Sequence, residues 1–233
     1  MYAARGATLG LVSRRGDRLR SLAASLACPA SVYEADVRDA NAVRDAAKAF
    51  MASHGLPDIV IGNAGISVGV LTELEEDLPV FRDTLETNVM GLVHTFHPFV
   101  APLRAARHGK LVGIASVAGF RGLPGTAAYS ASKAAAISYL EALRVELHGT
   151  GVRVTTICPG FIDTPMTAKN PYPMPFIIPA DDAARRFVRA IDAGTSYAVI
   201  PWQMAILGPL LRLLPNAIFD ALLAGRARKP RRG

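Results

Sequence analysis

Short apolar runs and amphipathic stretches alternate along almost the whole chain. Residues 7–13 (ATLGLVS), 31–35, 58–62 (DIVIG), 110–115 (KLVGIA), 152–158 (VRVTTIC) and 196–200 read as strands. Residues 17–26, 40–54, 78–104, 128–148 and 181–193 carry helical spacing. Gly55 closes the second of these helices, and Pro98 interrupts the third. Leu140, Leu143 and Leu147 share one face of the fourth, and the fifth starts on acidic residues. Strand and helix in turn are the rhythm of a parallel sheet covered on both faces. The pattern predicts an α/β fold, a Rossmann-like doubly wound sheet in three αβα layers.

Two segments break the rhythm. Residues 164–179 (TPMTAKNPYPMPFIIP) are rich in Pro and Met and read as a loop, and residues 202–224 are apolar. With no repeat and no linker, residues 1–201 read as one domain and 202–233 as an apolar C-terminal extension ending in a basic tail.

Composition narrows the class. The chain has 233 residues, 51% of them hydrophobic and 19% charged, which suits a compact single-domain globule and argues against disorder. Cys28 and Cys158 are the only cysteines, so a reduced, cytoplasmic protein is the simplest account. The five histidines make no ligand set with them; His94 and His97 are three apart with no nearby partner, and no metal is expected. Residues 1–12 lack the apolar length of a signal peptide. The net charge is +7, but removing Arg226, Arg228, Lys229, Arg231 and Arg232 leaves +2. The basicity belongs to the tail and implies no nucleic-acid groove.

Candidate chemistry collects at strand ends. Tyr129 and Lys133 are four apart on a predicted helix, so they project from one face. A free tyrosine titrates near ~10; a nearby ammonium favours its phenolate and draws it toward acid–base use at neutral pH. Ser116 closes one buried strand, Asn63-Ala64-Gly65 a second, and Pro159-Gly160 a third, with Thr164 shortly after. Asn88 sits inside a helix, where asparagine is not preferred. In open parallel sheets, ligands bind at the carboxyl ends of strands, which is where these residues gather.

The ordered set Asp36-Val37, Asn63-Ala64-Gly65, Asn88, Ser116, Tyr129-x-x-x-Lys133 and Pro159-Gly160 with Thr164 resembles the short-chain dehydrogenase/reductase family over about residues 2–201. The resemblance implies an NAD(P)-dependent oxidoreductase, a carbonyl reductase or alcohol dehydrogenase moving a hydride between nicotinamide and its substrate. It implies Tyr129 as general acid/base and Ser116 as the hydrogen-bond partner of the substrate oxygen. Lys133 would lower the Tyr129 pKa and bind the nicotinamide ribose, and Asn88 would hold a water linking Lys133 to solvent. Cofactor contacts are implied from Arg14, Asp36, Val37, Asn63, Ala64, Gly65, Tyr129, Lys133, Pro159, Gly160, Ile162 and Thr164. On the residues alone, Asn63 and Gly65 also suit a plain turn, Asp36 a loop acid and Thr164 a turn cap.

Arg14 and Arg15 follow the first strand directly. An arginine there suits the 2′-phosphate of NADP, which is favoured over NAD; the alternative is a pair of solvated loop charges. Family analogy also implies a homodimer or homotetramer through the helices carrying Asn88 and Tyr129.

The resemblance also predicts a gap. The family opens with a strand and a glycine-rich turn that cradles the pyrophosphate, whereas residues 1–15 here resemble the end of the first family helix running into the second family strand. The missing strand lies, in the family, between the strands at 7–13 and 58–62. Those two must pair directly or leave backbone groups unpaired. Two readings stand: Met1 as an internal methionine of a longer native protein, which is favoured, or a short form that binds dinucleotide poorly and serves as a non-catalytic partner.

The 164–179 loop carries Met166, Met174, Phe176, Ile177 and Ile178, fitting either an apolar lid for a lipophilic carbonyl or alcohol, or residues packed in the core or a subunit interface. In 202–224, Leu207, Leu210, Leu211 and Leu214, then Ile218, Phe219, Leu222 and Leu223, recur at helical spacing. Pro209, Pro215, Arg212 and Asp220 argue against a spanning helix. A helix pair packed over the cleft or in a dimer interface is favoured; the alternative is peripheral contact with an anionic membrane surface.

Overall fold

A computed structural model describes residues 1–225 and 227–231. The elements run β1 (Leu9–Ser13), α1 (Gly16–Ser25), β2 (Ala30–Glu34), α2 (Ala40–His54), β3 (Ile59–Gly62), α3 (Leu78–Leu85) and α4 (Gly91–Ala106). After these come β4 (Lys110–Ile114), α5 (Ala127–Glu146), β5 (Arg153–Pro159), β6 (Ile162–Asp163), β7 (Ile178–Pro179), α6 (Ala180–Ala193) and β8 (Tyr197–Ile200). Two C-terminal helices, α7 (Gln203–Leu213) and α8 (Asn216–Leu223), complete the order. The expected α/β architecture is present: strands β3-β4-β5-β8 form a four-stranded parallel sheet flanked by helices.

The central strand β4 shows how side-chain alternation builds two cores. Leu111 joins Leu92, Phe96, Leu103, Leu140 and Leu143 on the side covered by α2, α4 and α5. Its neighbour Val112 joins Ile157, Ile191 and Ile200 on the side of α6. Phe96, Leu103, Leu111 and Leu140 are fully buried, each contributing about 1.5–3 kcal/mol of transfer free energy. Gly113 and Gly62 sit under Leu140 and Leu92 at distances that leave no room for a Cβ, so the helices lie close on the strands.

Direct pairing of β1 with β3 does not form. Among the described residues, strand β1 pairs only with β2, in a separate two-stranded parallel sheet. Among the described residues no strand occupies the remaining edges of β1 and β3. Val12 and Ile61 on these two strands are exposed. Side chains bridge the two sheets instead. Phe50 of α2 lies on Gly10 of β1, while Ala47 and Met51 of the same helix join the main core. Val37, just past β2, packs on Gly91; its carbonyl meets His94 Nδ1 at 2.9 Å, and Arg38 pairs with Asp83.

The long third helix is also interrupted elsewhere than expected. Helix α4 passes through Pro98 and Pro102 unbroken, held by buried Phe96, Phe99 and Leu103. The break is a π-helical turn at Glu86–Met90, and it carries Asn88. Such turns cost backbone regularity and concentrate at functional sites.

Candidate active site

The four residues expected to carry the chemistry come from three separate elements and meet at the carboxyl ends of β3, β4 and β5. Ser116 follows β4 and starts a 3-10 turn (Val117–Gly119); its Oγ accepts from Ala118 N at 3.1 Å and reaches the Pro159 carbonyl at the end of β5 at 3.5 Å. Tyr129 and Lys133 lie in the first turns of α5. The Lys133 Nζ is 5.8 Å from the Tyr129 ring centroid and donates to the Ile114 carbonyl at 2.7 Å. Gly119 lets the Ser116 loop come down on α5: a Cβ there would stand 2.7 Å from the Lys133 backbone.

Asn88 is 2% exposed and fully engaged. Its Oδ1 accepts from Ile66 N at 2.8 Å, and its Nδ2 donates to Ile66 O and to Ser132 Oγ, both at 2.9 Å. Ser132 Oγ in turn donates to the Tyr129 carbonyl at 2.7 Å. The π-turn, the loop after β3 and the first turn of α5 are thereby tied through one amide. The sequence reading passed over Ser132, though a serine buried inside a helix is itself a signal, because serine is a weak helix former that usually sits at caps.

Burial sets the titration of the site. It holds the Tyr129 hydroxyl above its ordinary value, with a hydrogen bond to Ser116 opposing, so the lowering expected from Lys133 is outweighed by burial. Lys133 is brought down to about 8, again by burial, with nearby Cys158 opposing. Cys158 itself is pushed up to about 11 by burial, and its Sγ donates to Tyr197 Oη at 3.3 Å. Tyr129 is therefore protonated at neutral pH and Lys133 largely charged. Tyr172, from the 164–177 loop, is close enough to bear on the Tyr129 titration and packs on Phe161, with ring centroids 6.4 Å apart. It too escaped the sequence reading, hidden in a Pro-rich loop without periodicity.

The predicted cofactor residues divide. Asn63 and Ala64 are exposed at the end of β3, and Gly65 beside them faces Asn88 and Lys133; a Cβ there would lie 3.3 Å from Asn88 Oδ1 and 3.6 Å from Lys133 Nζ. Pro159 ends β5, and Gly160 just beyond it donates its N–H to Ile200 O at 2.8 Å. Ile162 pairs with Ile178 in the short β6–β7 ladder, and Thr164 bonds locally with Thr167. At the other sheet, Arg14 stands 3.6 Å from Asp36, whose carboxylate is held below the usual range, chiefly by Arg38. Val37 spends its side chain on Gly91.

These residues fit the nicotinamide half of a dinucleotide. Lys133 uses one donor on Ile114 and has two more, and Gly65 keeps the backbone bare beside Asn88 and Lys133. Among the described residues, no glycine-rich turn opens a helix between β1 and β3, where a pyrophosphate would need backbone N–H groups.

The sequence profile of the short chain dehydrogenase family matches residues 1–173. An uncharacterised oxidoreductase of Myxococcus xanthus (strain DK1622) is 38% identical over 222 residues, covering 94% of this chain and 87% of that protein. Among solved structures, a 3-ketoacyl-ACP reductase from Sinorhizobium meliloti 1021 superposes with a TM-score of 0.72 at 27% identity, over 85% of this chain and 89% of that one. The closed form of serine dehydrogenase complexed with NADP+ gives 0.66 at 29% identity, over 69% and 65%. The chain belongs to the short-chain dehydrogenase family and is an oxidoreductase of that family.

Proposed function

We propose that the protein interconverts a carbonyl and an alcohol with NADP(H). The observation that carries this is the convergence of Ser116, Tyr129, Lys133 and Asn88 at one sheet edge. Ser116 donates to the substrate oxygen. In the reductive direction, Tyr129, protonated through its raised pKa, gives its proton to that oxygen as negative charge develops there. Lys133 holds positive charge beside the phenolate that remains and turns its unused donors to the ribose. Asn88 fixes the loop and helix that present these groups. The bound nicotinamide supplies the hydride; the chain supplies orientation, proton and exclusion of water.

NADP is favoured over NAD because Arg14 stands exposed at the end of β1, and the similar serine dehydrogenase was solved with NADP+. Exposed Met166, Phe176 and Ile177 on the loop beside the site favour a lipophilic substrate. A homodimer fits the apolar groove of about 630 Å³ on the outer side of α3 and the π-turn, lined by Leu78, Phe81, Leu85 and Met90 among others.

Tyr129→Phe is expected to abolish carbonyl reduction while leaving the circular dichroism spectrum and NADPH binding unchanged; full activity in the variant removes the assignment. A clear preference for NADH at low concentration removes the NADP reading. The open edges of β1 and β3 favour a second reading, a dinucleotide-poor partner subunit. Calorimetric titration separates the two: no heat with either nucleotide supports the partner reading.

A further inference from the structure

Helices α7 and α8 contradict the usual pattern of a surface helix, which turns apolar residues inward and polar ones outward. The inner side of α7 is used: Gly208 sits under Phe120, and Met204 is buried against Gly160. Arg121 holds the α7–α8 junction, donating to the carbonyls of Leu211 and Leu214 and lying 3.7 Å over the Phe219 ring. The outer side is apolar as well. Of the exposed positions Trp202, Ala205, Ile206, Pro209, Leu210, Arg212 and Leu213, only Arg212 is polar. At about 100° per residue, Trp202, Ile206, Leu210 and Leu213 fall within about 80° of one another, a single stripe. Leu213 is 79% and Trp202 64% exposed. On α8, Ile218 and Leu222 are exposed one turn apart while Phe219 faces inward.

We propose that this outer face docks on an anionic lipid surface, with the two helices lying in the interface. The pair bends by 119° at the junction, and no single helix among the described residues is long and apolar enough to cross a bilayer. Helices of 11 and 8 residues, the first with an apolar stripe and the second exposing Ile218 and Leu222 beside Asn216 and Asp220, suit the boundary between headgroups and acyl chains. Charge selects the occupant. Residues 203–233 hold Arg212, Arg226, Arg228, Lys229, Arg231 and Arg232 against the single acid Asp220. Two copies would each bring a C-terminal segment of net positive charge to the contact, whereas an anionic surface attracts that charge. The tail is also anchored beside the hairpin: Arg231 pairs with Glu76 and Asp77, Lys229 bonds Ser67, and Arg228 lies against Gly125. None of Asn88, Ser116, Tyr129 and Lys133 lies on this outer face, so docking stands or falls apart from the redox reading.

Trp202 is the only tryptophan and lies on the stripe, so the full chain reports its own docking. With vesicles of phosphatidylcholine and phosphatidylglycerol, its emission shifts to the blue and acrylamide quenching falls. With phosphatidylcholine alone, partition is weaker by about tenfold or more. Leu210→Glu and Leu213→Glu, both at exposed positions, lose vesicle binding with an unchanged circular dichroism spectrum and, if the redox reading holds, unchanged turnover of a water-soluble carbonyl. Unchanged Trp202 emission at saturating anionic lipid overturns the proposal. So does a blue shift that follows protein concentration without lipid and tracks a dimer in sedimentation, which assigns the face to a second copy.

Discussion

Replacing Asn88 by alanine tests whether one buried amide joins the elements that carry the site. The substitution removes three hydrogen bonds, of 2.8, 2.9 and 2.9 Å. Each contributes about 1 kcal/mol net, and a buried partner left without a mate costs about 1–3 kcal/mol. Ser132 Oγ retains its bond to Tyr129 O, so the loss falls mainly on the Ile66 backbone. Together these give a destabilisation of about 2–4 kcal/mol, or about 4–16 °C in Tm for a chain of this size. Urea unfolding followed by circular dichroism at several protein concentrations measures it. Because Asn88 and Ser132 share a bond, Asn88→Ala with Ser132→Ala should cost less than the sum of the single changes. A loss below about 0.5 kcal/mol for Asn88→Ala, near what an ordinary surface change costs, refutes the linking role.

Other outcomes follow from charge. Lys133 binds its proton less tightly folded, near 8, than its ordinary 10.5. Between those values the unfolded chain holds more protons, so this lysine makes stability rise with pH across that window. The difference in urea midpoint between the parent and Lys133→Met should change there, and a difference flat from pH 7 to 10 contradicts the burial argument. Arg231 holds the Asp77 carboxyl below its usual range, with help from Leu71 N. That contribution is present above the unfolded carboxylate pKa and fades as pH falls through the folded one, so Arg231→Ala should lower Tm at neutral pH and converge with the parent in acid. Equal Tm values at neutral pH would show that the tail contact carries no stability.

Much of the fold was readable because it rests on local periodicity. Apolar runs such as DIVIG and KLVGIA, and helical spacing such as Leu140, Leu143 and Leu147, depend only on near neighbours. Tyr129 and Lys133 could be paired because a helix puts i and i+4 on one face. The break in the third helix was misplaced at Pro98, since proline is the strongest local breaker; tertiary burial of Phe96, Phe99 and Leu103 overrode it, and the local mark of the π-turn was Asn88, a residue helices disfavour.

What the sequence by itself determined is the order of strands and helices, the family, and the identity of the residues at the strand ends. Tertiary structure alone decided three things. It split the sheet: among the described residues β1 and β3 do not pair, and side chains such as Phe50 and Val37 bridge the halves. It tied Asn88 to Ser132 across 44 residues of chain. It also folded the basic tail back onto Asp77, 154 residues away, while turning an apolar helix face outward. Hydrogen bonds and ion pairs between distant residues depend on where the whole chain has gone, and no local pattern encodes that.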